Sequence, residues 1–457
     1  MSKFLQNTRN ILFVFVWLNG LGVFTSPSMA ALFNPKNFTL ANGLQVYVLS
    51  NHRAPIVKQI LVYKVGSIDE PAGKSGIAHF LEHLMFKGTK NLSGKELDKV
   101  NERMGADQNA STGHDYTMYY QEIVKSELED TMRIEADRMQ NLLLMEKDVQ
   151  AELPVILEER SMRIDNEPSA ILQEAMDAAF YQNHPYRIPP IGWEHEMRML
   201  DQKAAREFYD TWYAPNNAVL ILAGDINLEE AKALAEKYYG PIAAKTIPER
   251  KSLVEPVFRD VHVHLEKSSP RVLEPMYIRV YQAPSLRDDP KAYFALQILE
   301  HLLAGGAHGQ LYDSLVNEQK IASWISLTYK SGMSRGPASL EFSGQPVPGK
   351  SLDELENKII EEIAKLKKTS ITPEQLQQAK RRVVSSIDFL QDESFGGANI
   401  FAHALGCGTD IQYIENWKDY ISQVTVEDIE NVIKLIFEKN QFMTGRLLPE
   451  EKKEVKP

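Results

Sequence analysis

Two short segments of this chain carry the same pattern although they lie in different halves of the sequence. One reads Ala78-His-Phe-Leu-Glu-His-Leu84 and the other reads Leu296-Gln-Ile-Leu-Glu-His-Leu302. Each falls in a stretch with helical periodicity that follows a predicted strand. Two copies of one domain explain this self-similarity most economically, and a chance match of two helices is the alternative. The chain has 457 residues, which is long enough for two domains.

The periodicity elsewhere in the chain predicts the same α+β arrangement in each half. Phe38 to Leu49 alternates around Asn42-Gly43, a pattern typical of a hairpin. Segments 127–144 and 372–390 have helical periodicity. We therefore predict two similar domains, each a mostly antiparallel sheet covered by helices, joined by a linker. The predicted boundaries are 31–243 for the first domain, 244–270 for the linker and an entry strand, 271–448 for the second domain and 449–457 for a charged tail.

The first thirty residues have the parts of a secretory signal peptide. Lys3 and Arg9 precede an apolar run from Ile11 to Phe24. Ser28-x-Ala30 follows the run and places small residues at a cleavage site. We predict cleavage after Ala30, a periplasmic or secreted bacterial protein, and no stable membrane insertion of the mature chain. An uncleaved anchor and a mitochondrial presequence are the alternatives. The apolar run is short for a transmembrane helix, and presequences are amphipathic and Arg-rich.

Composition excludes several classes of protein. Hydrophobic residues make up 43% and charged residues 25% of the chain, which are ordinary values for a globular protein. The net charge of −11 argues against nucleic acid as a partner. Cys407 is the only cysteine, so an intramolecular disulfide is excluded.

The first copy of the repeated pattern contains the residues of a metal site. His79, Glu82 and His83 have the spacing i, i+3 and i+4, so on a helix they share one face. The order H-x-x-E-H is the inverted form of a zinc-hydrolase motif. Two imidazoles would supply two ligands, and the adjacent carboxylate would suit a general base for a water on the metal. A chance arrangement on a helix surface is the alternative.

A catalytic zinc takes a third protein ligand, which must come from another segment. Glu152 and Glu159 are seven residues apart on a predicted helix, so they line one face, whereas Glu158 points about 100° away from Glu159. One carboxylate could bind the metal and the other could orient an imidazole. A solvated acidic face is the alternative for this helix.

A longer stretch around the motif, Gly76 to Thr89, resembles the signature of the pitrilysin/insulinase zinc peptidases, which include the beta subunit of the mitochondrial processing peptidase. The resemblance covers about residues 36 to 440. Further segments that resemble the family are Asn42-Gly-Leu-x-Val46, Gly66-Ser67, Asn109-Ala-x-Thr112, Asp115-x-Thr117, Val155-Ile-Leu-Glu-Glu159, His184-Pro-Tyr186, Gly192, Tyr213-x-Pro-x-Asn217 and Ala223-Gly-Asp225.

The resemblance implies a zinc endopeptidase that hydrolyses extended or unfolded peptides by a zinc-bound water. His79, His83 and Glu159 match the ligands of one Zn²⁺ per chain, Glu82 matches the general base that activates the water, and Glu152 matches a second acidic residue that supports the site. The peptide substrate is expected to add as a strand at Asn109 and Ala110, which match the substrate edge. An ordinary strand is the alternative for these two side chains.

The second half departs from the family pattern at one place. Members that act alone resemble Leu-Arg-x-x-x-Gly-Leu-x-Tyr, and the matching stretch in this chain runs from Leu315 to Ser323. Val316 stands at the Arg position and Ser323 at the Tyr position. We therefore predict a partner subunit of the same fold that supplies the Arg and Tyr, either a second copy or a different chain. A slipped alignment, or substitution by another residue such as Arg335, is the alternative.

Two other functions remain open at this stage. Family members whose sites decay act as non-catalytic assembly subunits, although an intact Glu82 argues against this role. A subunit that processes mitochondrial presequences is the other alternative.

Overall fold

The computed structural model describes residues 31–104, 107–250, 253–256, 262–306, 309–438 and 441–450. The predicted signal peptide lies outside the described residues, as do residues 451–457 of the predicted charged tail. Among the described residues, every helix is too short or too polar to cross a membrane. The domain boundaries stay predictions, and the elements below are described with their own bounds.

Six strands form a sheet in the first half of the described chain. Its spatial order is β1-β2-β6-β3-β5-β4, in which β2 and β6 are parallel and the other neighbours are antiparallel. The hairpin predicted at Asn42-Gly43 is present, and Gly43 has the positive φ of 89° that its turn requires. The strands are β1 (Lys36–Thr39), β2 (Gln45–Ser50), β3 (Ile56–Tyr63), β4 (Asp107–Thr112), β5 (Thr117–Val124) and β6 (Ala218–Gly224).

Helices cover this sheet because their apolar stripes face it. Ile77, Phe80 and Leu81 of the first helix are fully buried against Leu61 and Leu220 of the sheet in one hydrophobic core. The helices of the first half, of which α5 packs elsewhere, are α1 (Ile77–Leu84), α2 (Gly94–Met104), α3 (Leu128–Asn141), α4 (Glu146–Arg160), α5 (Pro168–Phe180), α6 (Glu194–Met197), α7 (Gln202–Trp212) and α8 (Leu228–Tyr238).

Five strands form a second sheet with the order β7-β11-β8-β10-β9. Strands β7 and β11 are parallel, and the other neighbours are antiparallel. The strands are β7 (Val263–Ser269), β8 (Met276–Ala283), β9 (Ala322–Lys330), β10 (Ala338–Pro346) and β11 (Met443–Pro449). The helices are α9 (Pro290–Ala304), α10 (Gln310–Tyr312), α11 (Leu352–Leu366), α12 (Pro373–Asp392), α13 (Gly396–Gly406), α14 (Ile411–Glu415), α15 (Trp417–Gln423) and α16 (Val426–Phe437).

The two halves are copies of one fold. The order β2-β6-β3-β5-β4 in the first sheet repeats as β7-β11-β8-β10-β9 in the second, with the same parallel pair at the same place. Helix α1 follows β3 as α9 follows β8, and α4 packs on α1 as α12 packs on α9. The predicted α+β class with two similar, mostly antiparallel domains is confirmed.

Each half also covers the outer face of the other half's sheet with one helix. Phe180 and Met176 of α5 pack on Ile278 of the second sheet, and Phe401 of α13 packs on Ile221 of the first sheet. Helix α5 was not predicted from the sequence, because its partner surface belongs to the other half. The reciprocal exchange joins the two domains through apolar surface that neither sheet could leave exposed.

A buried ion-pair cluster fastens the same interface. Arg335 of the second half lies 2.8 Å from Asp69 and 3.3 Å from Asp115 of the first half, and its backbone N–H donates to Asp115. Tyr186 donates its hydroxyl to the same Asp115 carboxylate at 2.7 Å. A guanidinium held by two buried carboxylates is committed to this contact, because breaking it would leave uncompensated buried charge.

Candidate metal centre

Helix α1 is held at its first turn by buried polar contacts. Glu70 accepts the backbone N–H groups of Gly76 at 3.0 Å and Ala78 at 2.9 Å, which would otherwise lack partners at a helix start. Gly76 has φ +87°, and a Cβ there would lie 2.5 Å from the carbonyl oxygen of Ile191. The chain therefore enters α1 in one fixed direction, which sets where the face of His79 and His83 points.

Helix α4 presents the acidic residues to α1. It runs from Glu146 to Arg160 as one helix that contains Pro154. Pro154 leaves the carbonyl of Gln150 without its helical donor, and Gln150 is exposed, so solvent can take that place. Glu152 and Glu159 both reach the histidines of α1.

The predicted ligand atoms converge on one point between the two helices. The Nε2 atoms of His79 and His83 lie 3.3 and 3.2 Å from Oε2 of Glu159. One ligand atom from each of the three residues can be chosen so that all lie within 4.8 Å of one another. Among the described residues, the group of three or more histidine, cysteine or carboxylate side chains with ligand atoms this close consists of His79, His83 and Glu159.

The donor set fits a zinc ion. Ligand atoms about 2.1 Å from a tetrahedral Zn²⁺ lie about 3.4 Å apart, close to the separations in this cleft. Oε2 of Glu159 is buried and accepts no hydrogen bond from the described residues. A buried carboxylate oxygen is costly without a partner, and a cation between it and the two imidazoles would supply one.

Two further side chains hold the candidate ligands in place. Nδ1 of His83 lies 2.8 Å from Oε1 of Glu152, whose other oxygen pairs with Lys87. Arg163 lies 2.8 Å from Oε1 of Glu159 and so leaves Oε2 to face the histidines. Arg163 is on a π-helical segment, Ser161–Asp165, that continues α4. The contact between Glu152 and His83 agrees with the prediction that Glu152 supports the site. The ion pairs of Lys87 and Arg163 were not predicted.

The electrostatics of the cleft favour a cation. Burial alone would lower the pKa of His83, but the Glu152 and Glu159 carboxylates raise it to about 9. The nearby rings of His79 and His83 hold the pKa of Glu159 well below its usual range. Both carboxylates are therefore anionic at neutral pH and attract positive charge, which a metal ion can supply in place of protons.

Glu82 contacts the edge strand of the first sheet. Its Oε2 accepts a hydrogen bond from the hydroxyl of Thr112, the last residue of β4. The carboxylate is half-buried, and Thr112 fixes its orientation. Thr112 belongs to a segment used for the family resemblance, but no role was predicted for its hydroxyl.

Strand β4 is the edge of the first sheet and lies beside α1. Asn109 and Ala110 pair with Tyr120 and Tyr119 of β5 on one side only. The backbone N–H of Ala110 donates at 2.8 Å to the side-chain oxygen of Asn109, which shows that this N–H points away from β5. An added strand could accept this hydrogen bond in place of Asn109, as the predicted edge requires.

The two residues predicted to stand at the family's Arg and Tyr positions lie in the second half. Val316 is half-buried in the π-helical segment Asp313–Glu318, and Ser323 is exposed near the start of β9. Neither side chain can make the contacts of a guanidinium or a phenol. Arg335, the substitute considered above, is committed to Asp69 and Asp115 at the domain interface.

Comparison with known proteins decides the family. A model described as insulinase (peptidase family M16) matches residues 45–192, and one described as the M16 inactive domain matches residues 200–383. The chain belongs to the M16 peptidase family. This confirms the resemblance drawn from the stretch around His79, and the first model covers all three candidate ligands.

Similar proteins and a similar solved structure align with large parts of the chain. The chain is 31% identical over 431 residues to the zinc protease PqqE of Helicobacter pylori, covering 91% of this chain and 93% of that protein. It is 29% identical over 294 residues to the probable mitochondrial-processing peptidase subunit beta of Schizosaccharomyces pombe, covering 64% and 60%. A crystal structure of a Helicobacter pylori protease superposes with a TM-score of 0.82 at 30% identity, covering 91% and 99%.

Proposed function

We propose that this M16 protein is a zinc-dependent endopeptidase that cleaves extended or unfolded peptides in the cleft between α1 and α4. The observation that carries the proposal is the convergence of His79, His83 and Glu159, with Glu82 beside them on the same helix. The similarity to a protein named as a zinc protease supports the same metal and reaction class.

Substrate binding is assigned to the free edge of β4. A peptide that adds as a strand there exchanges main-chain hydrogen bonds with Asn109 and Ala110, so recognition depends on an extended conformation more than on sequence. Thr112 ends the strand and contacts Glu82, so a peptide bound along β4 passes the carboxylate. Most main-chain groups of a folded substrate are already paired, so we expect a preference for unfolded chains.

The catalytic chemistry is divided among four side chains. His79, His83 and Glu159 would hold the Zn²⁺ ion, which when bound would lower the pKa of water and polarise a carbonyl group. Glu82 accepts the proton of the attacking water and passes it to the leaving amine. Glu152 keeps His83 in the tautomer whose Nε2 faces the metal, because Nδ1–H donates to its carboxylate.

A partner subunit of the same fold completes the site in this proposal. Val316 and Ser323 lack the groups that grip substrate in family members acting alone, and Arg335 is held by two carboxylates at the domain interface. The partner would supply an Arg and a Tyr opposite the metal. A second copy of this chain has the same Val and Ser, so the proposal favours a different chain.

We place the mature protein in the periplasm or outside a bacterial cell, on the basis of residues 1–30. Purification from the periplasmic fraction of a bacterial host, followed by N-terminal sequencing, is expected to show Ala31 first. A mitochondrial processing subunit is the second candidate because one relative carries that name. Removal of the first thirty residues by bacterial signal peptidase would exclude it.

Cleavage of an unstructured peptide tests the function. The purified chain, alone and with a same-fold chain carrying Arg and Tyr, is stripped with a chelator and then restored with zinc. Activity that disappears and returns with zinc supports the proposal. Glu82→Gln is expected to abolish cleavage, and unchanged cleavage by this variant contradicts the role of Glu82.

The same experiment tests whether cleavage requires a partner subunit. Activity of the isolated chain removes the need for a partner. If no activity appears even with the partner present, the non-catalytic assembly role is favoured.

A further inference from the structure

The second domain has an open cleft at the place where the first domain has its metal site. It lies between α9 and α12 and encloses about 690 Å³. Its walls include Glu300 and His301, which repeat the positions of Glu82 and His83. Because α12 stands to α9 as α4 stands to α1, this cleft is the second copy of the metal cleft.

The charge of the second cleft is opposite to that of the first. Where α4 presents Glu152 and Glu159, α12 presents Arg381 and Arg382. Neither arginine forms an ion pair among the described residues, and Arg382 donates one hydrogen bond to the backbone oxygen of His301 at 3.1 Å. Unpaired arginines facing one cleft are notable in a chain whose net charge is −11.

Among the described residues, the Glu300 carboxylate of the cleft forms no ion pair with these arginines. Burial raises the pKa of Glu300, and its Oε1 accepts the backbone N–H of Tyr329. Burial and then the charge of Arg382 lower the pKa of His301, which agrees with a positive potential in the cleft. Gln378 and Ser385 of the wall can donate hydrogen bonds, whereas the hydroxyl of Ser386 donates to the backbone oxygen of Val383 at 2.7 Å.

We infer that the cleft between α9 and α12 binds an acidic peptide segment through Arg381 and Arg382. Guanidinium groups pair with carboxylates through two parallel hydrogen bonds, and two adjacent arginines can hold neighbouring carboxylates. Leu327 and the 73% exposed Phe389 add an apolar wall that fits the side chains or stems of a peptide. The overall negative charge of the protein disfavours nucleic acid as the occupant.

This site is separate from the chemistry proposed for the first domain. It needs neither zinc nor Glu82, so its test is a binding measurement. A failure of peptide cleavage leaves the inference standing, and a failure of binding leaves the proposed function standing.

The test uses the full mature chain carrying Glu82→Gln and a fluorescent hexaglutamate peptide with blocked ends. Binding is followed by fluorescence anisotropy. Arg381→Gln with Arg382→Gln is expected to weaken binding at least about tenfold, since hydrogen bonds to charged groups contribute strongly. A hexaglutamine peptide is expected to bind at least about tenfold more weakly than hexaglutamate.

Matched variants separate the cleft from general charge effects. Arg53→Gln with Arg187→Gln removes the same charge from exposed positions in the first half and is expected to leave hexaglutamate binding unchanged. Arg381→Gln alone alters an exposed side chain, so the fold should survive, and it is expected to weaken binding several-fold. Lysine at both positions keeps the charge but cannot form the two parallel hydrogen bonds, so its affinity should lie between that of the unaltered protein and that of the double glutamine variant.

Three results of the peptide and variant comparisons would overturn the inference. These are equal binding of the glutamate and glutamine peptides, equal losses in the cleft and control variants, and unchanged binding when both cleft arginines are replaced. Complete displacement of hexaglutamate by a small excess of inorganic phosphate would also contradict it, because a site for small anions needs no peptide.

Discussion

The clefts of the two domains are built on the same elements and have opposite chemistry. In the first, α1 and α4 bring together two histidines and two glutamates, and Glu159 has a buried oxygen without a hydrogen bond. In the second, α9 keeps a glutamate and a histidine, Gln297 replaces the first histidine, and α12 offers arginines. The shared fold therefore does not by itself supply the candidate ligand set, and we propose that the carboxylate from the neighbouring helix is what a metal site requires.

Apart from the ligands themselves, Glu152 is expected to have the largest effect on zinc affinity. It contacts His83 in the first cleft, and the described residues of the second cleft include no matching carboxylate. Glu152→Gln should lower zinc affinity about 10- to 100-fold, because the amide leaves His83 less basic and less firmly oriented. Competition with a fluorescent zinc chelator measures this change. Affinity equal to that of the unaltered protein would mean that the contact at 2.8 Å does not support the metal.

A smaller effect, on kcat, is expected from Thr112 of β4, which contacts the proposed base Glu82. Thr112→Val removes the hydroxyl that donates to Glu82 and should lower kcat about tenfold without loss of zinc, since hydrogen bonds to charged groups are worth about 1.5–3 kcal/mol. Thr112→Ser keeps the hydroxyl and should recover most of the activity. Steady-state kinetics with an unstructured peptide distinguish these results from a defect of the strand, which both variants would share.

A still smaller effect is expected for the ion pair on the exposed side of the third ligand. Arg163 is 71% exposed, so solvent weakens its attraction for Glu159. Arg163→Gln should weaken zinc binding about two- to fivefold, and Arg163→Lys should be nearly neutral. A loss as large as that of Glu152→Gln would show that the oxygen held by Arg163 must be fixed for metal binding.

Restoring the H-x-x-E-H motif in the second cleft is not expected to increase the zinc content of the protein. Gln297→His restores the H-x-x-E-H pattern on α9, but α12 still offers Arg381 and Arg382 instead of a carboxylate. The zinc content of the purified variant should stay that of the unaltered protein. A second zinc per chain would contradict the claim that a third ligand from the neighbouring helix is required.

Local sequence patterns were enough to predict the face of α1, the hairpin at Asn42-Gly43 and the repeat. The spacing of His79, Glu82 and His83 forces them onto one helix face whatever the surrounding fold. The placement of Glu159 against them needed the family resemblance, because two helices far apart in sequence must meet. The geometry agrees with that ligand set, whose metal-binding role stays a prediction.

Other features depend on contacts that the sequence does not display. Helix α5 packs on the second sheet and α13 on the first, so neither amphipathic pattern can be assigned a partner from its own half. The hydroxyl of Thr112 has a role only because β4 ends beside α1. Of the residues that were not predicted, Arg163 would have been the easiest to find from the sequence. It lies four positions after Glu159 on a helical segment, a spacing typical of an ion pair.

Metal analysis of Glu159→Gln tests most directly the claim that α1 and α4 together form the zinc site. After removal and restoration of zinc and extensive dialysis, the unaltered protein is expected to retain one zinc per chain. Glu159→Gln is expected to retain almost none, while circular dichroism and the melting temperature of the zinc-free form remain unchanged. Full zinc retention by Glu159→Gln would contradict the claim.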